Sequence, residues 1–486
     1  DPDPKTAAEL AKLVAAGDEV TLKKYFAGFL QFGTAGLRGP IGPGPSCMNR
    51  AVVGRTAAGL VAYMRERGMK RVVIGRDARY GSEDFTEESA QIFSGAGFEV
   101  FVLPRPLPTP VLAFATHELN CDLGVMVTAS HNPIDYNGMK MVRALSKPIS
   151  GDTGLNVIHD LAVANDFPAI TNKGTLRYVD NSQAYIDHLM TYIDLSALTP
   201  LTLVVNAGNG AAGPTVDRIE QAFIQAGAPI TFHKMHHEPD ATFPNGIPNP
   251  LLHDQQPVTG AAVVKHSADM GIAWDGDFDR CFLWDADGKF IEGYYVVGLL
   301  AEAFLQQQPD ASIIFDPRLT WNTEDIIRQY GGKAIQCKSG HAFIKEKMRA
   351  EDAVYGGEMS AHHYFKDFAY CDSGMIPWLL VIDLLSRKQT TLKDLTQAAI
   401  ARYPSPGEIN SKVKDADTSI ERVYQAYKAE AIAEDFIDGI SLTFADWRFN
   451  LRKSNTEPVV RLNLETRAND QLMQEKTDAI LALLRQ

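Results

Sequence analysis

Short apolar strands alternate with amphipathic helices along most of the chain. No other feature constrains the fold as strongly, because a strand that returns parallel to the last needs a crossover, usually a helix. Residues 71–75 read as a strand, 86–96 as a helix and 98–103 as the next strand, which makes one βαβ unit. The rhythm returns at 201–206, 215–225 and 230–233, and again at 312–316, 324–330 and 333–336. Three α/β units with mainly parallel sheets are therefore expected. The last stretch differs: 440–444, 447–451 and 459–464 are closely spaced strands followed by one helix over 470–484, an α+β pattern. The proline-bearing passages 105–110 and 246–250 read as extended surface connectors.

Composition narrows the function classes. At 486 residues, 45% hydrophobic and 22% charged, the chain has material for several buried cores and is not of a disordered type. Sixty acidic residues against 47 Lys and Arg give a formal charge of −13, which repels a phosphate backbone, so nucleic acid is excluded as a partner. A small phosphorylated ligand stays compatible, since local basic clusters overrule a negative mean; the acidic surface also serves solubility. Five dispersed cysteines with no metal-ligand spacing fit a reducing, cytoplasmic setting. No apolar run is long enough to span a membrane, and the first fifteen residues, with Asp1, Asp3, Lys5, Glu9 and Lys12, show no secretory leader. No motif points to an oligomeric state.

Two loops carry the chemistry most plainly. The apolar strand 123–128 runs into Thr128-Ala129-Ser130-His131-Asn132-Pro133, which presents the Ser130 hydroxyl at a strand end, where function usually sits. His131 and Asn132 offer donors for a phosphate oxygen, and Lys140 brings an ammonium to the same loop. Alone, this segment also reads as an ordinary turn. The second loop, Asp275-Gly276-Asp277-Phe278-Asp279-Arg280, sets three carboxylates at a spacing of two on one side of an extended segment, where they can converge on a hard cation. A solvated acidic turn is the alternative. An EF-hand is excluded, because its sixth position would be Arg280 and its twelfth Ala286. Asp285-Ala-Asp287-Gly288 reads as a hairpin turn.

Two further loops are weaker alone. Glu358 and Ser360, in Gly357-Glu358-Met359-Ser360-Ala361-His362-His363, can hold adjacent sugar hydroxyls or belong to a plain polar loop. Arg318 and His341 add cations nearby. Arg452-Lys453-Ser454-Asn455-Thr456-Glu457-Pro458 offers guanidinium, hydroxyl and amide donors suited to a phosphate, or forms a structural hairpin. Gly208-Asn-Gly210-Ala-Ala-Gly213 satisfies the dinucleotide-binding pattern literally, but His233-Lys234 stands where a ribose-binding acid would be expected. These glycines read as close helix-to-sheet packing.

In this order and at these intervals, the four loops resemble the α-D-phosphohexomutase superfamily, and from about Val127 onward the chain resembles its bacterial phosphomannomutase branch. The resemblance implies a four-domain architecture, with three related α/β domains carrying mixed sheets and a C-terminal α+β domain. The domains are expected at 1–155, 156–262, 263–374 and 375–486. It implies Ser130 as a phosphoserine, with Ser130, Asp275, Asp277 and Asp279 around a Mg²⁺. Arg38, Lys140 and His362 become the acid, base and charge-stabilising groups, beside His131. Glu358 and Ser360 become sugar contacts, Arg452, Ser454, Asn455 and Thr456 a grip on the substrate's phosphate, and Arg280, Arg318 and His341 further substrate contacts. The implied reaction interconverts mannose 6-phosphate and mannose 1-phosphate in the GDP-mannose pathway, through a bisphosphosugar, with glucose or mannose 1,6-bisphosphate as activator.

Residues 1 to about 125 instead resemble the phosphoglucomutase and phosphopentomutase-like branch, through Phe32-Gly-Thr-Ala35-Gly-Leu-Arg38-Gly39 and 103–110, with Ala35 where a tyrosine would be expected. A composite chain joined between about Thr116 and Asn137 is the expectation. The alternatives to mannose chemistry are phosphoglucomutase activity, a haloacid-dehalogenase-like phosphatase using Asp275 or Asp277, and a non-catalytic sugar-phosphate binding protein. The phosphatase motif wants Thr or Val where Asp279 stands.

Overall fold

One strand order recurs three times in the computed structural model, which describes residues 3–33, 36–149, 151–165, 173–454 and 459–486. The first sheet comprises β1 (Gly36–Pro40), β2 (Arg71–Arg76), β3 (Glu99–Pro106), β4 (Leu123–Val127), β5 (Tyr136–Arg143), β6 (Lys147–Pro148) and β7 (Thr175–Tyr178). Its order is β1-β5-β4-β2-β3-β7, with β6 on β5. The second comprises β8 (Leu201–Asn206), β9 (Ile230–Met235), β10 (Met270–Trp274), β11 (Cys281–Trp284) and β12 (Phe290–Ile291), in the order β12-β11-β10-β8-β9. The third comprises β13 (Ser312–Phe315), β14 (Lys333–Gln336), β15 (Tyr355–Gly357), β16 (His363–Phe365) and β17 (Cys371–Asp372), in the order β14-β13-β15-β16-β17.

In each unit the opening strand of the βαβ pair, β2, β8 or β13, lies between two parallel neighbours reached by helical crossovers. The third parallel strand, β4, β10 or β15, is then continued by an antiparallel hairpin. β4 and β10 are apolar and buried at every residue, as strands covered on both faces must be. The three hairpin loops therefore leave equivalent ends of the parallel strands in three mixed sheets, the end at which α/β folds bind ligands.

The second and third units share one core. Helices Gly293–Gln307 and Ile376–Lys388 run through it, apolar nearly all round, and Trp378 packs against Phe223 and Phe232 at 6.3 and 6.1 Å. Truncating a fully buried side chain there, such as Leu379, removes about 2–5 kcal/mol.

Three expected boundaries shift. The break at 262/263 falls inside the second sheet, because β10 pairs with both β8 and β11, so the aspartate loop belongs to the second unit rather than the third. The break at 374/375 would sever helix Ile376–Lys388 from the core it completes. The first unit runs past 155, since β7 pairs with β3.

The fourth unit is an antiparallel sheet of β18 (Ile409–Lys412), β19 (Ala433–Asp435), β20 (Ile440–Thr443), β21 (Trp447–Lys453) and β22 (Val459–Thr466), in the order β18-β22-β21-β20-β19. Helices Ala416–Tyr427 and Asp470–Leu484 pack against it through an apolar cluster. On β21 and β22 a polar ladder pairs Arg448 with Glu465, Asn450 with Asn463 and Arg452 with Arg461. One end of the ladder docks on the third unit. Arg448 donates to the carbonyls of Pro317 and Arg318 at 2.9 and 3.0 Å, and Glu465 accepts from the Thr320 amide at 2.7 Å and from the Tyr294 hydroxyl. Among the described residues, no helix is long and apolar enough to cross a membrane.

Candidate active site

Each of the three hairpin loops bends through one non-glycine residue in the left-handed region: Ser130 at φ 53°, Phe278 at φ 63° and Ala361 at φ 69°. Such conformations cost about 1–3 kcal/mol and persist only where the surroundings impose them. For Ser130 the surroundings begin with Arg79, whose side chain is 1% exposed. It donates to the carbonyls of Ser130 and Asn132 at 2.6 Å each, of Pro133 at 2.8 Å and of Tyr136 at 3.1 Å. Arg79 therefore fixes the path of the serine loop. Asp77 lies 3.6 Å from it and accepts from the Ser82 hydroxyl.

The aspartate loop comes against the serine loop at Gly276, where a β-carbon would stand 2.1 Å from the Ser130 carbonyl oxygen. Close approach brings the Ser130 hydroxyl to 3.4 Å from Asp275 Oδ2 and 3.2 Å from His131 Nδ1. The glycines of the dinucleotide-like motif allow close approach to loops rather than helix-to-sheet packing: a β-carbon on Gly210 would strike Phe278 at 2.5 Å, and one on Gly213 the His237 carbonyl, beyond the end of β9, at 1.9 Å.

Carboxylate oxygens of Asp275, Asp277 and Asp279 lie within 4.8 Å of one another, and all three residues are buried. Burial pushes each carboxyl pKa up, but neighbouring cations outweigh it and hold all three below the ordinary range. Arg280 donates to Asp275 at 2.6 and 2.9 Å, and Lys140 bonds to Asp277 and, at 2.9 Å, to Asp279. Lys140 is held protonated in return, because its two carboxylates overcome the effect of burial. Arg280 also reaches His131 Nδ1 at 2.8 Å, so it acts foremost as the partner of Asp275 and the serine loop. Oδ1 of Asp277 and Oδ1 of Asp279 are buried with no hydrogen-bond partner among the described residues. An oxygen-only trio with two unused buried oxygens suits a hard divalent cation.

A cavity of about 190 Å³ opens over this cluster, lined by Arg38, Ser130, Lys140, Asp279, His341 and His362 among others. Arg38 reaches it from β1 and donates to Asn132 Oδ1 at 3.3 Å. An isolated bridge between Arg280 and His362 ties the aspartate loop to the third hairpin loop. His362 Nδ1 lies 3.2 Å from Asp372 and 3.8 Å from Asp279, and these carboxylates raise its pKa against the lowering effect of burial. Burial and Lys345 lower that of His341 to about 3. Sequence reasoning missed Lys345 and Asp372, which pair at 2.6 Å on the cavity wall. It also missed Thr109, whose hydroxyl donates to Asp277 at 2.8 Å. The passage 105–110 is therefore not a plain surface connector: it begins in the last residues of β3 and runs into the helix Thr109–Glu118, which starts against the aspartate loop.

The remaining residues form a second cluster. Glu358 is buried, accepting from the Gly340 amide at 2.8 Å and the Tyr364 hydroxyl at 2.5 Å. Arg318 is clamped bidentately by Asp316 at 2.8 and 2.9 Å and points at Ser360, 3.4 Å away, and Glu358, 4.0 Å away. From the fourth unit, Arg452 and Arg461 meet Glu408, and Arg461 reaches Ser454 at 3.4 Å. Asn455 and Thr456 lie outside the described residues.

The sequence matches all four domain models described as phosphoglucomutase/phosphomannomutase: alpha/beta/alpha domain I over residues 30–168, domain II over 183–288, domain III over 292–403 and the C-terminal domain over 408–482. The chain belongs to this family. A phosphomannomutase of Escherichia coli K12 is 57% identical over 417 residues, covering 85% of this chain and 91% of that protein. A Xanthomonas campestris protein named for phosphohexose mutases is 49% identical over 441 residues, covering 91% and 96%. Among solved structures, a family member from Burkholderia thailandensis superposes with a TM-score of 0.80 at 30% identity, over 93% of this chain and 96% of that one. The domain models place residues up to 288 with the second unit, which agrees with the strand pairing around the aspartate loop.

Proposed function

We propose that the protein interconverts mannose 6-phosphate and mannose 1-phosphate by way of a phosphorylated Ser130. The observation that carries this reading is the seating of the Ser130 hydroxyl against Asp275, on the edge of a buried carboxylate trio and facing a cavity walled by basic groups. Family membership and the similarity to phosphomannomutases support the substrate class. In the forward half, the bond from Ser130 Oγ to phosphorus breaks as a sugar hydroxyl oxygen bonds to phosphorus, and the hydroxyl proton passes to a group on the cavity wall. His362 is suited to that exchange, and Lys140, held protonated, balances the charge spread over the transferring phosphoryl oxygens.

Asp275, Asp277 and Asp279 with a Ser130 oxygen would hold Mg²⁺, which supplies electrostatic stabilisation of the phosphoryl group when bound. Arg452 and Ser454, with Asn455 and Thr456, would grip the phosphate already on the sugar, while Glu358 and Ser360 contact hydroxyls common to both orientations of the bisphosphosugar. Glucose or mannose 1,6-bisphosphate would prime the serine. Five buried free thiols fit a reducing, cytoplasmic setting. A side-by-side assay of mannose 1-phosphate and glucose 1-phosphate tests the substrate: kcat/KM is expected to favour mannose, and a preference for glucose overturns that choice.

A further inference from the structure

Glu408 meets the arginine that the reading above assigns to the sugar's own phosphate, together with that arginine's cross-strand neighbour. Its carboxylate accepts from Arg452 Nη2 at 3.1 Å and Arg461 Nη1 at 3.2 Å, and Arg318 Nη1 of the third unit stands 3.6 Å away. Arg452 and Arg461 are direct cross-strand partners on β21 and β22. Like charges placed so are unfavourable unless an anion lies between them. The Glu408 side chain is 20% exposed, so this anion stands at the edge of the site, within reach of an incoming ligand. Arg452 Nε is buried without a hydrogen-bond partner among the described residues, which leaves that guanidinium a donor to spare.

The position of Glu408 in the chain adds a consequence. It follows Pro404-Ser405-Pro406-Gly407, the connector from helix Leu392–Arg402 to β18, where Gly407 takes φ 77°. One carboxylate thus binds guanidiniums on both sides of the joint between the third and fourth units. A phosphate carries more charge and more acceptor oxygens than a carboxylate and matches paired guanidinium forks. It would outcompete Glu408 for Arg452 and Arg461.

We propose that Glu408 is a displaceable counter-anion: it holds the arginine cluster in the ligand-free protein and gives way to the substrate's phosphate, releasing its tie to Arg318 across the joint. The inference rests on the reading that Arg452 and Ser454 hold that phosphate. Removing the Glu408 charge acts oppositely on the two states. The ligand-free protein loses the anion between its arginines, whereas phosphate binding loses a competitor. A merely structural glutamate would instead weaken folding and binding together.

The test is calorimetric titration of the full chain with inorganic phosphate, run on wild type, Glu408→Gln and Arg452→Ala, with melting temperatures measured with and without phosphate. Glu408→Gln is expected to melt lower when ligand-free, to bind phosphate roughly fivefold tighter or more, and to gain more melting temperature from it than wild type does. Arg452→Ala is expected to bind more weakly than wild type. Should Glu408→Gln not fold, Glu408→Asp, which draws the carboxylate back, is expected to give the same gain at smaller size. If Arg452→Ala weakens binding but neither Glu408 variant tightens it, the counter-anion proposal is overturned and the phosphate seat stands. If Arg452→Ala binds as wild type does, the phosphate seat itself is wrong, and this proposal falls with it.

Discussion

Gly276 lies so close to Ser130 that a β-carbon on it would stand 2.1 Å from the serine carbonyl oxygen. The obstacle is backbone, which cannot swing aside like a side-chain tip, so the smallest substitution must part the serine and aspartate loops. Gly276→Ala is expected to lower kcat by about 10²-fold, the usual effect of an ångström-scale misplacement of reacting groups. Its far-ultraviolet circular dichroism should stay unchanged. Full activity in this variant would show that loop contact does not set the geometry.

Arg79 makes the complementary prediction on stability. Its replacement by Met leaves four loop carbonyls and the buried Asp77 without their partner, which is expected to destabilise the protein by about 3–5 kcal/mol in chemical denaturation. Arg79→Lys should recover only part of this, since an ammonium cannot span the four acceptors that the planar fork reaches. A loss under 1 kcal/mol in Arg79→Met would contradict the anchoring role.

Both residues also mark what the sequence could and could not reveal. The convergence of the aspartate loop was legible because acids at a spacing of two fall on one side of an extended segment. Arg79 signals itself only faintly, as an Arg two residues beyond Asp77, which follows the end of β2; its work is done on carbonyls more than fifty positions away. Thr109, Lys345, Asp372 and Glu408 carry no local signal, since each acts through a partner brought close by tertiary packing. The repeated βαβ rhythm was plain, but the antiparallel additions β11, β12, β16 and β17 were not assigned to their sheets, which moved the boundaries. β18 and β19 are short and polar, without the alternation that marks a half-buried strand. The composite origin of the first 125 or so residues stands as a proposal, and any junction must satisfy the first sheet, where β2 pairs with both β3 and β4. Separate comparisons of the two parts that returned one branch for both would contradict it.

Acid sensitivity should come partly from His363. The side chain is fully buried and its Nδ1 meets the Tyr355 hydroxyl at 2.8 Å; burial, reinforced by His362, lowers its pKa to about 3. The unfolded chain takes up a proton near pH 6.5 that the folded protein refuses until about pH 3, so stability is expected to fall as pH drops through that window. The contribution approaches about 1.4 kcal/mol per pH unit once the unfolded histidine is protonated. Denaturation at pH 7 and pH 5 should show His363→Gln losing less stability on acidification than wild type; an equal loss would exclude His363 as the source.

Metal binding can be read without turnover. Mg²⁺ at about 100 times its Kd should stabilise the wild type by about 2.7 kcal/mol, seen as a rise in melting temperature that a chelator reverses. Asp277→Asn should abolish most of that rise, because it removes one of the three buried charges that would hold the cation. A rise that survives in Asp277→Asn would place the cation elsewhere.

Intact-mass spectrometry of the protein after incubation with mannose 1,6-bisphosphate and Mg²⁺ tests the central claim most directly. The wild type should gain about 80 Da, the mass of one phosphoryl group, and Ser130→Ala should gain nothing. A gain that persists in Ser130→Ala, or an active wild type whose mass after incubation is that of the unmodified chain, would contradict the role of Ser130 as the phosphoryl carrier.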